Sequence, residues 1–230
     1  DTYKMVLQPT GPESKKLKIL VPGQFINIKI EGFYLRRPIS IADWNDESLT
    51  IIYKVVGKGT KALSEMEQGI KLDILWPLGN GYNLTWIPHS AILIGGGVGV
   101  PPMYGLAKKL VEEGKIPRII LGFREKNQVF YDDEFRKLGL EVKVYTEDGS
   151  YGEKGFVTNG FNQAEYVCAC GPERMLEAIY HKAQDGQYSF EARMACGFGG
   201  CMGCSCETLV GNKRICKEGP VLIHKELLWM

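Results

Sequence analysis

Four cysteines stand at a spacing suited to redox chemistry. Cys196, Cys201, Cys204 and Cys216 read as C-x4-C-x2-C-x11-C, the interval that brings four thiolates to a [2Fe–2S] cluster. Gly197, Gly199, Gly200 and Gly203 lie among the first three. Glycine lets a tight loop take positive φ angles and bring its N–H groups up to sulfur. Two other readings of these residues compete. A zinc site usually shows two C-x2-C pairs, and here only Cys201 and Cys204 form one. A disulfide framework suits a secreted chain, but the cysteines number seven and nothing at the start resembles a signal peptide. Cys206 fits no ligand interval and is read as a non-ligand beside the metal.

Two further segments are suited to holding phosphate. Arg36-Arg37-Pro38-Ile39-Ser40 places two cations, a rigid proline and a hydroxyl at a strand end, and Gly57-Lys58-Gly59-Thr60 precedes a helix-like run. Glycines before a helix start expose backbone N–H groups to a phosphate oxygen, and arginine clamps the same oxygens through paired N–H bonds. Alone, each is as readily an ordinary turn. A second glycine loop, residues 95–102, follows the apolar run Ala91-Ile92-Leu93-Ile94 and leads into a helical stretch that ends at Gly114. It matches only half of the dinucleotide fingerprint, because Pro102 stands where a third glycine belongs.

These motifs need elements to position them. The 230 residues suffice for one large domain or two modest ones. Net charge is +1 with no basic run, which argues against a nucleic-acid partner, and no apolar stretch approaches the ~20 residues of a membrane span. The expected location is the cytoplasm. Residues 1–86 alternate in short β-rich runs, such as Phe25-Ile26-Asn27-Ile28 and Ile51-Ile52-Tyr53-Lys54, punctuated by glycine, proline and asparagine; this predicts an antiparallel barrel or sandwich. A strand over residues 72–76 is expected to end at Pro77. Residues 87–185 alternate strand and helix, which predicts a doubly wound parallel sheet. Such sheets bind ligands outside the carboxyl ends of their strands, where the glycine loop at 95–102 falls. Arg124 and Glu125 point opposite ways on NADP against NAD, and the three histidines show no ligand spacing. Residues 186–230 are too few to hold much core, so metal and neighbouring domains must organise them.

The order of motifs carries a resemblance. R-P-I-S at 37–40 followed by G-K-G-T at 57–60 resembles the FAD barrel of the ferredoxin-reductase superfamily, and G-G-G-x-G-x-x-P with Cys170-Gly171-Pro172 resembles its nicotinamide domain. With the C-terminal cysteines, ending Cys216-Lys217-x-Gly219-Pro220, the whole chain resembles the electron-transfer subunits of class 1B dihydroorotate dehydrogenases. The resemblance implies FAD on Arg37, Pro38, Ile39, Ser40, Ile52, Tyr53, Lys54, Gly59 and Thr60, with Ile39 where the family often has tyrosine. It implies NAD as substrate, received by Gly96, Gly97, Gly99, Cys170, Gly171 and Pro172, and a cluster on the four named cysteines. It also implies a partner catalytic subunit that oxidises dihydroorotate on FMN in pyrimidine synthesis, in an assembly of two of each. FAD would adapt two-electron hydride chemistry to the one-electron cluster, and no catalytic acid or base of this chain is required. The family's first strand would be shortened at Asp1. Small subunits of NADH-dependent ferredoxin:NADP oxidoreductases and sulfide dehydrogenases share the architecture, but commonly carry aspartate where this chain has Cys196. A zinc-stabilised nucleotide-binding module without redox activity is the reading from another class.

Overall fold

A computed structural model describes residues 1–163 and 165–229. The first five strands, β1 (Thr2–Leu7), β2 (Phe25–Ile28), β3 (Arg37–Trp44), β4 (Leu49–Lys54) and β5 (Ile74–Leu78), form an antiparallel sheet in the order β1-β4-β3-β2-β5. Alternate residues of all five meet in one apolar cluster: Met5, Ile26, Ile28, Ile39, Ile41, Ile51, Tyr53 and Trp76 among them. The sheet therefore wraps a common interior, plugged by Leu17 and by Leu63 of helix α1 (Lys58–Ser64). β1 pairs with β4 through all six of its residues. Pro77 does not end β5 but lies inside it. β5 is an edge strand whose register on β2 shifts at that point, and an edge bulge is where a missing N–H breaks no ladder bond.

The second sheet has seven strands. β6 (Ile92–Gly96), β7 (Arg118–Phe123), β8 (Val142–Thr146), β9 (Glu153–Lys154), β10 (Tyr166–Cys170) and β11 (Asp185–Ser189) are parallel. Their order, with a last strand β14 (Val221–Ile223), is β14-β11-β10-β6-β7-β8-β9. Helix α2 (Val100–Glu112) buries Val100, Met103, Leu106, Ala107 and Leu110 on one face of the sheet, beside Phe135 of α3 (Asp132–Lys137). Gly114 ends this helical stretch at φ +76°, with the Lys115 N–H returning to the Leu110 carbonyl at 2.9 Å. On the opposite face, α4 (Glu173–Tyr180) contributes Leu176 and Ile179. α2 also joins the two sheets: Gly105 meets the Ala42 carbonyl of β3, where a Cβ would sit at 2.7 Å, and Lys108 pairs with Asp43 at 2.8 Å.

The tail does more than pack beside this sheet. β14 pairs antiparallel with β11, so the chain leaves the sheet after Ser189, builds the cysteine loop and the small hairpin β12 (Ser205–Cys206) and β13 (Lys213–Arg214), and returns to the neighbouring strand. β11, with its Gly-Gln centre, and the three-residue β14 carried too little apolar pattern to be expected as strands. Asn80, in the glycine turn after β5, latches the return. Its Nδ2 donates to the carbonyls of Glu218 (2.9 Å) and Val221 (2.7 Å), its Oδ1 accepts from Val221 N–H (3.1 Å), and its own N–H reaches Gly219 O (2.7 Å). Asn80→Ala removes the three side-chain bonds and should destabilise the protein by about 2 kcal/mol. That amounts to a fall of roughly 4–8 °C in the thermal midpoint read by circular dichroism.

Candidate redox and nucleotide sites

The cysteine loop owes its shape to backbone angles. Gly197 and Gly199 take φ +78° and +90°, and Met202 takes +60°. These turns aim amides at sulfur: Gly200 N–H at Cys196 Sγ (3.2 Å), Gly203 N–H at Cys201 Sγ (3.4 Å) and Cys216 N–H at Cys204 Sγ (3.4 Å). Arg214 braces the loop, donating to Gly199 O at 2.5 Å while its Nε holds Glu218 at 2.9 Å. The thiols pair in two sets, Cys196 with Cys201 and Cys204 with Cys216. Cys204 and Cys216 are buried within the apolar cluster that includes Ile215 and Leu222, whereas Cys201 is exposed.

Burial works against a charge at Cys196, but the amides of Phe198, Cys201 and Gly200 and the Cys201 side chain outweigh it and bring the thiol down to about 6. At Cys216, burial and then the neighbouring Cys204 push the thiol up to about 12, so Cys216 needs metal charge to ionise. Among the described residues no three metal-binding side chains converge as a single ion requires. Two pairs of thiols with amides on the sulfurs fit a two-iron cluster, two thiolates to each iron. Cys206 directs its thiol to the Glu207 carbonyl (3.5 Å) and packs against the apolar cluster that holds Cys204 and Cys216.

The structure separates the two arginines of the β3 entry. Arg36 is committed to Asp73 (2.9 Å) and to the Asp73 carbonyl (2.9 Å), tying β2 and β3 to the segment before β5. Arg37 instead lies against Gly59, where a Cβ would come within 2.2 Å of Nε, and stacks its guanidinium on Phe33 at 5.0 Å. Among the described residues its hydrogen bonds go only to backbone carbonyls, those of Leu35 and Arg36. Arg37 and the glycine turn are therefore brought together, as a phosphate clamp requires. Thr60 closes that turn itself, accepting from Val56 (3.0 Å) and Gly57 (3.2 Å) N–H groups. Ile39 and Tyr53 belong to the barrel core. By alternation Pro38, Ser40 and Ile52 face the other way. Lys54 is exposed at the end of β4.

The nicotinamide candidates also converge. β6 is the central strand from which the connections diverge, to β7 on one side and to β10 on the other, and Cys170 pairs in register with Gly95. This is the switch-point crevice of an open α/β sheet. Gly99 packs so closely on β10 that a Cβ would meet Cys170 O at 2.1 Å; Gly96 and Gly171 both press on Met175, and Gly171 sits at φ +155°. Gly97, at φ +53°, has open space where its side chain would be. Cys170 itself is buried, its thiol pushed up to about 12 by desolvation and then by Glu191, with Ser189 opposing. It is a closely packed wall, not a nucleophile. A Gly99→Ala protein should lose about 1–3 kcal/mol of stability through overpacking and show a raised KM for NADH with FAD and iron contents unchanged. Steady-state kinetics and cofactor assay would check this.

Fold and sites together define an oxidoreductase of the ferredoxin-reductase type, with an antiparallel flavin-type domain, a parallel nicotinamide-type domain and a cysteine-rich tail. The Iron-sulfur cluster binding domain of dihydroorotate dehydrogenase B matches residues 191–228, and the Oxidoreductase NAD-binding domain matches residues 93–181. The electron transfer subunit of dihydroorotate dehydrogenase B (NAD(+)) from Fusobacterium nucleatum is 43% identical, over 99% of this chain and 93% of its own length. The same subunit from Bacillus pumilus is 42% identical, over 89% and 85%. The chain belongs to this family of electron transfer subunits.

Among solved structures, one of an NADH-dependent reduced ferredoxin-NADP oxidoreductase superposes with a TM-score of 0.86 at 29% identity, over 100% of this chain and 86% of that one. A flavohemoglobin from Malassezia yamatoensis with bound FAD and heme shares the fold at a TM-score of 0.62 and 21% identity, over 79% of this chain and 52% of that one. Sequence reasoning missed three residues that shape the site: Arg214, which braces the cysteine loop; Asn80, which latches it; and Asn27, which touches it from β2. Single polar residues at these places carry no spacing signal. Only the fold brings them to the loop.

Proposed function

We propose that this chain works as the electron-transfer subunit of an NAD-dependent dihydroorotate dehydrogenase, passing electrons between a catalytic subunit and NAD+. The observation that carries the reading is the coexistence in one chain of an arginine–glycine clamp, a switch-point glycine crevice and four paired thiols beside them. Arg37 and the Gly57–Thr60 turn hold the FAD pyrophosphate. Pro38, Ser40 and Ile52 present a face of the barrel to the flavin, while Ile39, Tyr53 and Lys54 support and border it. Gly96, Gly97 and Gly99 receive the nicotinamide nucleotide, and Cys170, Gly171 and Pro172 form the close-packed floor that brings its ring near the flavin. Cys196, Cys201, Cys204 and Cys216 hold the [2Fe–2S] cluster. When bound, FAD supplies two-electron exchange with nicotinamide and the cluster supplies one-electron exchange.

Side chains of this chain position these groups and keep water from them; none is needed to move a proton from dihydroorotate. The domains are taken as 1–86, 87–185 and 186–230. The partner is an FMN-containing dihydroorotate dehydrogenase subunit, two of each per assembly, in the cytoplasm. Among the described residues no helix is long and apolar enough to cross a membrane. The likeness to the ferredoxin-NADP oxidoreductase structure offers a second reading, which the cysteine at 196 and the higher identity to the dihydroorotate dehydrogenase subunits disfavour. Anaerobic purification tests the proposal. Expected are flavin, two irons with two sulfides per chain, and a co-purifying subunit that oxidises dihydroorotate while this chain reduces NAD+. A colourless protein with zinc, or a partner that turns over ferredoxin instead, would overturn it.

A further inference from the structure

Asn27 lies between the two cofactor sites, and nothing in the function as described employs it. Ile26 and Ile28 of β2 enter the barrel core, so Phe25 and Asn27 face outward, where Phe25 joins the apolar cluster containing Cys204 and Cys216. In the β2–β3 register Asn27 stands opposite Pro38 and Phe25 opposite Ser40. Asn27 is thus the cross-strand neighbour, on the same face, of the segment assigned to the flavin. On its other side, Nδ2 donates to the carbonyl of Cys196 at 3.3 Å, and a Cβ on Gly197 would come within 2.2 Å of that nitrogen. The glycine and its positive φ are what let the cluster loop approach β2 so closely.

Asn27 is 0% exposed, and its Oδ1 is a buried polar atom without a hydrogen-bond partner among the described residues. A residue required only to fill space here would be apolar, like Phe25, Ile26 and Ile28 around it. A buried amide with one end unpaired is costly, and the end that is paired lands on the peptide of a cluster ligand.

We propose that Asn27 is the positioning residue that couples the two redox sites, tying the peptide of the first cluster ligand to the strand pair that carries the flavin. The proposal rests on the assignment of residues 37–40 to FAD and of the four cysteines to the cluster. Asn27→Leu keeps the volume and removes both polar ends. The test uses the anaerobically purified, cofactor-loaded protein mixed with NADH. NADH supplies two electrons to FAD as hydride, leaving NAD+, and one of them reduces the oxidised cluster; flavin absorbance and the electron paramagnetic resonance of the reduced cluster report the two steps.

The variant should keep its FAD and iron and its rate of flavin reduction. It should pass electrons to the cluster roughly tenfold more slowly or worse, with a shifted resonance, in line with the effect of outer-shell partners on metal sites. Loss of iron alone, with FAD retained and reduced normally, also supports the tie. Wild-type transfer with an unchanged resonance overturns it, as does joint loss of FAD and iron, which would make Asn27 a packing residue of the barrel. A wild-type protein whose cluster NADH does not reduce would instead overturn the functional assignment, whatever the variant does.

Discussion

A Cys201→Ser protein is expected to accept hydride from NADH onto its flavin at the wild-type rate and yet fail to exchange electrons with the catalytic subunit. Cys201 is the exposed member of the outer thiol pair, and the Gly203 amide bonds its sulfur. The proposed flavin and nicotinamide sites draw on other elements: β3, the turn before α1, and the ends of β6 and β10. The loss should therefore fall on one step only. Dihydroorotate-dependent NAD+ reduction by the assembled enzyme should drop roughly a hundredfold or more, since a lost ligand costs at least what an outer-shell partner costs. Reduction of an artificial dye by NADH should survive. Dihydroorotate turnover at the wild-type rate would mean that electrons bypass the cysteine loop.

Arg37→Ala should release FAD. The guanidinium packs on Gly59 and Phe33, and among the described residues it hydrogen-bonds only backbone carbonyls, so its charge is available to a pyrophosphate. A charge-assisted hydrogen bond of this kind contributes about 1.5–3 kcal/mol, or roughly ten- to a hundredfold in affinity. Equilibrium titration of the flavin-stripped protein with FAD would measure it. Arg36→Ala is the control. Because Arg36 serves Asp73 and the backbone, its removal should lower the unfolding midpoint while leaving FAD affinity near the wild-type value. Equal FAD loss in both variants would show that general disruption of the β3 entry, not a phosphate clamp, was being read.

Much of this architecture was legible because its signals are local. Cysteine spacing, the Arg37–Ser40 run and the glycine loop before α2 are written within a few residues each, and hydrophobic period told barrel from α/β sheet. The structure adds what no window of sequence carries. It sorts Arg36 from Arg37, a difference that lies in partners at Asp73 and Gly59. It places Ile39 and Tyr53 on the core side of strands whose opposite face carries Ser40 and Ile52, a matter of register. It turns Asp185–Ser189 and Val221–Ile223 into sheet strands, although polar and glycine content hides the first and its three-residue length hides the second. By sequence Pro77 is a strand terminator, because proline cannot donate to a ladder. It sits in an edge strand, where no such bond is asked of it. Long-range hydrogen bonds such as Asn27 to Cys196 and Asn80 to Val221 join residues 169 and 141 positions apart. Their identity becomes meaningful only once the chain has folded.

The return of the chain from Ser189 through the cysteine loop to β14 has a kinetic consequence. The loop leaves and rejoins one sheet on adjacent strands, and Asn80 fastens its base to the barrel. A metal centre held this way is not carried on a swinging arm. With FAD and a cluster held at the proposed sites, their separation would be set at folding, and electron exchange between them would be a tunnelling event at fixed range. Its pace then depends on driving force and on the packing between the sites, and not on how fast a tethered domain diffuses through solvent.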